Sequence, residues 1–166
     1  MVHRNNFEKN FRRLFSEFKY GTTTWSGLAS GVLAGRYNDG NIPEDSRLGN
    51  YTNAAFLINK YLGKNKEETC AKLRKLKEYA DELGTSQAVL AIAWVAANTD
   101  VSTCILGFSK LSQAEENFKA LSLLKKWTPE IDQKVRAIMG NDPEPELNWR
   151  TWTPQPQRRD VALYKP

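Results

Sequence analysis

A chain of 166 residues with 40% hydrophobic and 26% charged residues has the length and composition of one globular domain. Its net charge of +5 leaves it mildly basic, but Lys64 to Lys77 alternate with Glu67, Glu68 and Glu78, the pattern of a solvated helix face. No zinc finger, RNP-type aromatic cluster, secretory h-region or apolar run of about 20 residues is present, which excludes nucleic-acid binding and membrane insertion and leaves phosphate on a small molecule as the anion such charge suits.

In chain order, Phe7, Phe11, Leu14, Phe15 and Phe18 recur at helical spacing and predict an amphipathic helix over residues 6–18, running on to Gly21. Arg4, Lys9, Arg12, Arg13 and Lys19 belong to the same segment. Thr22, Thr23, Thr24 and Trp25 read as a β-branched and aromatic strand. Residues 35–50 contain Gly35, Gly40, Pro43 and Gly49 and read as a long loop, a class that is often functional. Helices are predicted over 51–62 and 65–83, the first carrying Tyr51, Ala55, Leu57, Ile58 and Leu62, the second Leu73, Leu76, Tyr79, Ala80 and Leu83 inward.

Gly84 stops that helix, and Thr85 or Ser86 caps the next, 87–98, whose run Val89 to Val95 is apolar nearly all round and therefore buried on most sides. Val101 to Leu106 reads as a short buried strand, followed by a turn at Gly107 and a helix over 111–121. Thr128 before Pro129 starts a last helix that ends at Gly140. From 141 onward, Pro143, Pro145, Pro154, Pro156 and Pro166 predict an extended tail, with Trp149 and Trp152 docking it onto this body or a neighbour. Helices alternating with two strands belong to the α/β class with parallel strands. Two strands alone make a poor sheet.

The chemistry is bounded first by absences. Neither a Gly-x-Gly-x-x-Gly after a strand nor a P-loop occurs. His3, the one histidine, lies near a terminus expected to be poorly ordered, so a His-based triad is excluded. One His and two distant cysteines, Cys70 and Cys104, leave no metal site and fit a reduced, intracellular setting. What remains is a pair of strand-to-turn stretches, Gly21 to Tyr37 and Leu106 to Asn117, whose Gly and Ser residues let backbone amides approach phosphate.

Thr22-Thr-Thr-Trp-Ser-Gly-Leu-Ala-Ser-Gly-Val-Leu-Ala-Gly-Arg-Tyr37 followed by Ile42-Pro-Glu-Asp-Ser-Arg47 resembles the seventh strand and following loop of aldo-keto reductases, most of all those of the voltage-gated potassium channel β subunit branch. Leu106-Gly-Phe-Ser109 and Gln113-x-x-Glu-Asn117 resemble the eighth strand and helix, and Glu82 to Trp94 resembles the segment between. The resemblance implies the C-terminal part of a (β/α)8 TIM barrel over residues 1–140, truncated and mostly helical, with 141–166 as a Pro/Trp-containing tail.

It also implies an NADPH site. Trp25, Ser26, Leu28, Ala29 and Ser30 would wrap the pyrophosphate, and Arg36 and Arg47 would stand near the phosphates. Gly107, Ser109, Gln113, Glu116 and Asn117 would hold the adenosine end with its 2′-phosphate. Taken without the resemblance, Trp25 and Trp94 suit a core, Arg36 and Arg47 suit solvent, Ser109 suits a helix cap, and Glu116 and Asn117 suit a solvent face. The family usually has Pro where this chain has Gly27, which loosens the turn. Its catalytic Asp, Tyr, Lys and His or Asn come from earlier strands, so no catalytic residue is assigned. A whole barrel needs roughly 250 residues. The resemblance thus implies a cytoplasmic reductase fragment inactive by itself, or alternatively a non-catalytic subunit whose open barrel edges need protein partners or self-association. A potassium-channel regulator ranks last.

Overall fold

The computed structural model describes residues 1–50, 52, 54–63 and 65–144. Tyr51 and the tail beyond Glu144, with Trp149 and Trp152, lie outside the described residues.

Helix α5 (Gln87–Ala96) is the centre of the fold. Ser86 caps it, its hydroxyl accepting from the Val89 N–H at 3.3 Å, and Val89, Leu90, Ala91 and Ala93 are fully buried. Around it pack α4 (Lys66–Glu82), α6 (Leu111–Phe118), α7 (Ala120–Leu124) and a 3-10 segment, Ala29–Ala34. From α4 come Cys70, Leu73, Leu76 and Ala80, all on one face. Helix α8 (Pro129–Met139) covers α4. Its start is the Thr128–Pro129 pair read from the sequence, and it ends at Gly140, whose φ of +54° is left-handed.

Strands β1 (Thr22–Trp25) and β2 (Val101–Ile105) pair in parallel, with Thr23 opposite Thr103 and Trp25 opposite Ile105. The register slips by one residue between Thr22 and Thr23, bulging β2 at Ser102. Gly21 permits this, since a Cβ there would lie 1.9 Å from the Ser102 Oγ. The order is that of an α/β chain, but the expectation of a buried second strand is corrected. Ser102, Thr103 and Ile105 are exposed, because α5 covers one face and no other strand pairs with β2 among the described residues.

Three other expectations change. The predicted helix 6–18 breaks at Phe11 into a π turn, Asn6–Asn10, and α1 (Arg12–Ser16). Of its apolar residues only Phe15 is buried, against the half-buried Phe7 ring. The 35–50 loop holds a short α2 (Arg47–Asn50), and α3 (Ala54–Tyr61) follows. The predicted helix 111–121 divides at Lys119 into α6 and α7.

The N-terminal segment is tied down rather than loose. The Arg4 side chain is 2% exposed; its fork donates to both Glu8 carboxylate oxygens at 2.6 and 2.5 Å and it pairs with Asp142 at 2.6 Å. Arg136 reaches the same two carboxylates, and both guanidiniums lie over the Trp94 ring at 5.5 and 5.9 Å. The His3 ring meets the Lys60 carbonyl oxygen at 3.0 Å.

Burial pushes the Glu8 and Asp142 carboxyls up, but hydrogen bonds and charge from Arg4 and Arg136 outweigh it and hold both below the usual carboxylate range. A depressed folded value means that the stabilisation is complete above the unfolded range, about pH 4 to 5, and is lost as pH falls through the folded values. Melting temperature should therefore fall on acidification below about pH 4 in the wild type and less steeply in Glu8→Gln. Arg4→Ala should cost about 1–3 kcal/mol by urea unfolding, since it removes charged hydrogen bonds to the part-buried Glu8 while Arg136 still pairs with Glu8 and with the exposed Asp142; wild-type stability in that variant would refute the account.

Candidate functional site

Parallel pairing places the ends of β1 and β2 side by side, so the turn after Trp25 and the turn after Ile105 open at one edge of the sheet. The first turn is strained. Ser26, Ala29 and Ser30 have φ of +61°, +48° and +58°, and Gly31 follows at +94°. Left-handed backbone costs an L-residue about 1–2 kcal/mol, so three such residues persist only where the surroundings impose them. Here the imposition is burial of Ala29, Val32 and Leu33, with the Ala29 N–H donating to the Ser26 carbonyl at 2.8 Å and the Gly31 N–H to the Leu28 carbonyl at 2.9 Å. Leu28, at φ −95° and ψ 7°, precedes the left-handed Ala29, and the Ala29 and Gly31 N–H groups are spent on holding the turn closed. Gly27 lies outside the left-handed region; a Cβ there would meet Cys104 Sγ at 3.3 Å.

Downstream, the loop that carries Arg36 and Arg47 is closed by Tyr37. This ring is 1% exposed, its hydroxyl accepts the Leu48 N–H at 3.2 Å, and Gly31 sits against it. Arg36 donates from Nη2 to Asp45 at 2.7 Å, and Arg47 begins α2 on the surface.

The second turn is held by Gln113. Its Oε1 accepts from the Ser109 N–H at 2.9 Å, the Lys110 N–H at 3.3 Å and the Ser109 hydroxyl at 3.3 Å. Ser109 therefore does not cap α6, whose cap position is Lys110, as the bare sequence had suggested. Gly107 and Ser109 are exposed and Asn117 is 5% exposed, within the body rather than on a solvent face. Glu116 is engaged by Lys119 at 2.6 Å and by the Ser86 hydroxyl, and those bonds hold its carboxyl below the usual range. Trp25, read as a core candidate, is 75% exposed, whereas Trp94 is buried.

Sequence reasoning missed four residues at this edge. Tyr61 on α3 approaches Ser26, hydroxyl to hydroxyl, at 3.4 Å. It lines, with Lys60, His3, Trp25 and Ser26, a cavity of about 230 Å³ beside the β1 turn. Asp45 pairs with Arg36, and the charge of Lys110 acts on Asp45 from the second turn. None of these contacts has a spacing signal, because each joins segments far apart in sequence or within a loop. No group of three or more His, Cys, Asp or Glu suited to a metal occurs among the described residues, and no helix among them is long and apolar enough to cross a membrane.

The two turns and the loop after β1 carry amide, hydroxyl and guanidinium groups, donor types suited to anions. Ser30→Gly should relieve left-handed strain and raise stability by up to about 1 kcal/mol in thermal melts, and destabilisation would show that Ser30 is held by something other than the turn geometry.

Residues 1–136 match the aldo/keto reductase family. A protein of Oryza sativa subsp. japonica named as a probable voltage-gated potassium channel subunit beta is 45% identical over 149 residues, 89% of this chain and 44% of that protein. An Arabidopsis thaliana protein of the same name is 41% identical over 152 residues, covering 90% of this chain and 44% of its own length. A Schizosaccharomyces pombe protein with the corresponding name is 41% identical over 141 residues, 84% of this chain and 40% of that protein. The chain thus spans less than half the length of these relatives.

Proposed function

The chain belongs to the aldo/keto reductase family, and from that premise we propose that it carries the NADPH-cradling portion of a reductase of that family. In this reading β1 and β2 are the seventh and eighth strands of a (β/α)8 barrel, residues 1–140 are the partial domain, and 141–166 are its tail. The observation that carries the reading is the parallel β1–β2 pair, which sets the strained Ser26–Gly31 turn beside the Gly107–Lys110 turn.

The donor set fits the cofactor. Trp25, Ser26, Leu28, Ala29 and Ser30 supply backbone and hydroxyl groups suited to a pyrophosphate. Arg36 and Arg47 supply planar forks suited to phosphate. Gly107, Ser109, Gln113, Glu116 and Asn117 lie at the second turn and on α6, where an adenosine half would rest. When bound, the cofactor supplies a hydride for reduction of an aldehyde or ketone. In this reading the chain's own residues bind and orient it. The groups that protonate the substrate belong to the earlier strands of the family's barrel, and we assign none of them here.

A second reading rests on exposed apolar side chains. Phe11 and Phe18 before β1, and Ile105, Phe118 and Leu121 at and after β2, are 45 to 61% exposed. They favour a non-catalytic subunit that covers these flanks with a protein partner or a second copy. Regulation of a potassium channel rests on the relatives' names alone, and no residue of this chain points to it.

NADPH titration of the purified chain, followed by the cofactor's own fluorescence, should show saturable binding. Arg47→Ala should weaken it about tenfold and Ser109→Ala less, because a charged hydrogen bond is worth more than a neutral one. The same preparation should not consume NADPH with an aldehyde. Absence of saturable binding would overturn the cradle, and steady turnover would overturn the non-catalytic assignment.

A further inference from the structure

The cavity beside the β1 turn has walls whose polar groups are not all matched. It holds about 230 Å³, and Val2, Arg4, Phe7, Ser26, Tyr61 and Trp94 are among the residues that line it. A cavity of about 150 Å³ takes a benzene ring, so this one has room for a single indole and not for two. Trp94 is 8% exposed, yet its indole N–H has no acceptor among the described residues. Buried donors in folded proteins are nearly always paired. Across the cavity the Lys60 ammonium rests over the Tyr61 ring at 5.2 Å and meets no carboxylate among the described residues. The occupant that suits the space, the donor and the cation together is an aromatic ring accompanied by a carbonyl and a carboxylate.

The chain itself carries that chemistry just past Glu144, and it leaves the fold at the cavity wall. Asn141 Nδ2 donates to the Met1 and Val2 carbonyls, both at 2.9 Å, and Asp142 pairs with Arg4 at 2.6 Å. Met1, Val2 and Arg4 all border the cavity. From there the sequence runs Asp142-Pro-Glu-Pro-Glu-Leu-Asn-Trp149. Pro143 and Pro145 bias the residues before them toward extended backbone, and seven extended residues span up to about 25 Å. Asp142 stands one side chain from the wall, so Trp149 reaches the cavity with slack. The path along residues 1–3 also leads to Lys60, whose carbonyl oxygen meets the His3 ring at 3.0 Å. The acidic run ending at Glu146 is complementary to that ammonium.

We propose that the tail folds back on its own body and seats the Trp149 indole in this cavity. A tail carbonyl beside the ring gives the Trp94 N–H its acceptor, and Glu146 gives Lys60 its counter-charge. The last two residues of β1 border the same cavity, so the docked tail shields the end of a strand that has one neighbour among the described residues. The proposal stands apart from the dinucleotide reading.

Fluorine NMR of the full chain labelled with 5-fluorotryptophan tests it, each resonance being assigned by replacing that tryptophan with phenylalanine. A soluble paramagnetic agent should broaden the Trp25 signal and spare Trp149 as it spares Trp94. Trp149→Ala should shift the Trp94 resonance and lower the melting temperature by about 3–6 °C, and Trp152→Ala should do neither. Lys60→Glu should make the Trp149 signal about twofold more accessible to the agent, an effect that shrinks as ionic strength passes about 0.15 M. A Trp149 signal broadened as readily as that of Trp25, or a Trp94 resonance unmoved by Trp149→Ala, would overturn the proposal. So would shielding of Trp149 that grows with protein concentration, because it would seat the indole in a second copy.

Discussion

Everything in this chain is hung on the burial of α5. The strands contribute no fully buried residue, so they cannot hold themselves together. The helix supplies a surface apolar on all sides; its flanks take α4, α6, α7, β2 and the 3-10 segment, and the fixed position of that segment determines where the β1 turn must run. Strain at Ser26, Ala29 and Ser30 is tolerable because Ala29, Val32 and Leu33 are buried in the same core. The site is therefore built by the core, and the sheet serves to align its two halves.

A second organising device is ionic. Glu8 and Asp142 join the beginning and end of the described chain through Arg4 and Arg136, with Trp94 on α5 beneath both guanidiniums. The arrangement ties a short N-terminal segment, with little apolar area of its own to bury, to the central helix. It also explains why His3 and Lys60 meet beside Ser26.

Much of this was legible in the residues. The apolar run of α5, the Leu73–Leu76–Ala80 face of α4 and the Thr128–Pro129 start of α8 are local signals, and local physics decided them. The two Gly- and Ser-containing turns were legible too, because strand-to-turn chemistry is written in adjacent residues. What was not legible depends on neighbours remote in sequence. The break at Phe11, where the backbone leaves the π turn, has no signature in the helical spacing of the apolar residues. The exposure of Trp25 and Ile105 follows from a sheet of two strands. The pairing of Asp45 with Arg36 required the loop closure by Tyr37, which no periodicity announces.

The position of Trp25 carries an optical consequence. Its indole stands in solvent at the last residue of β1, one residue before the strained turn, while Trp94 is shut into the core under two arginines. Collisional quenchers such as iodide reach an exposed ring and not a buried one. Among the chain's five tryptophans, Trp25 thus contributes a quencher-accessible emission that reports events beside the β1 turn, and Trp94 a shielded one that reports the integrity of the helical core.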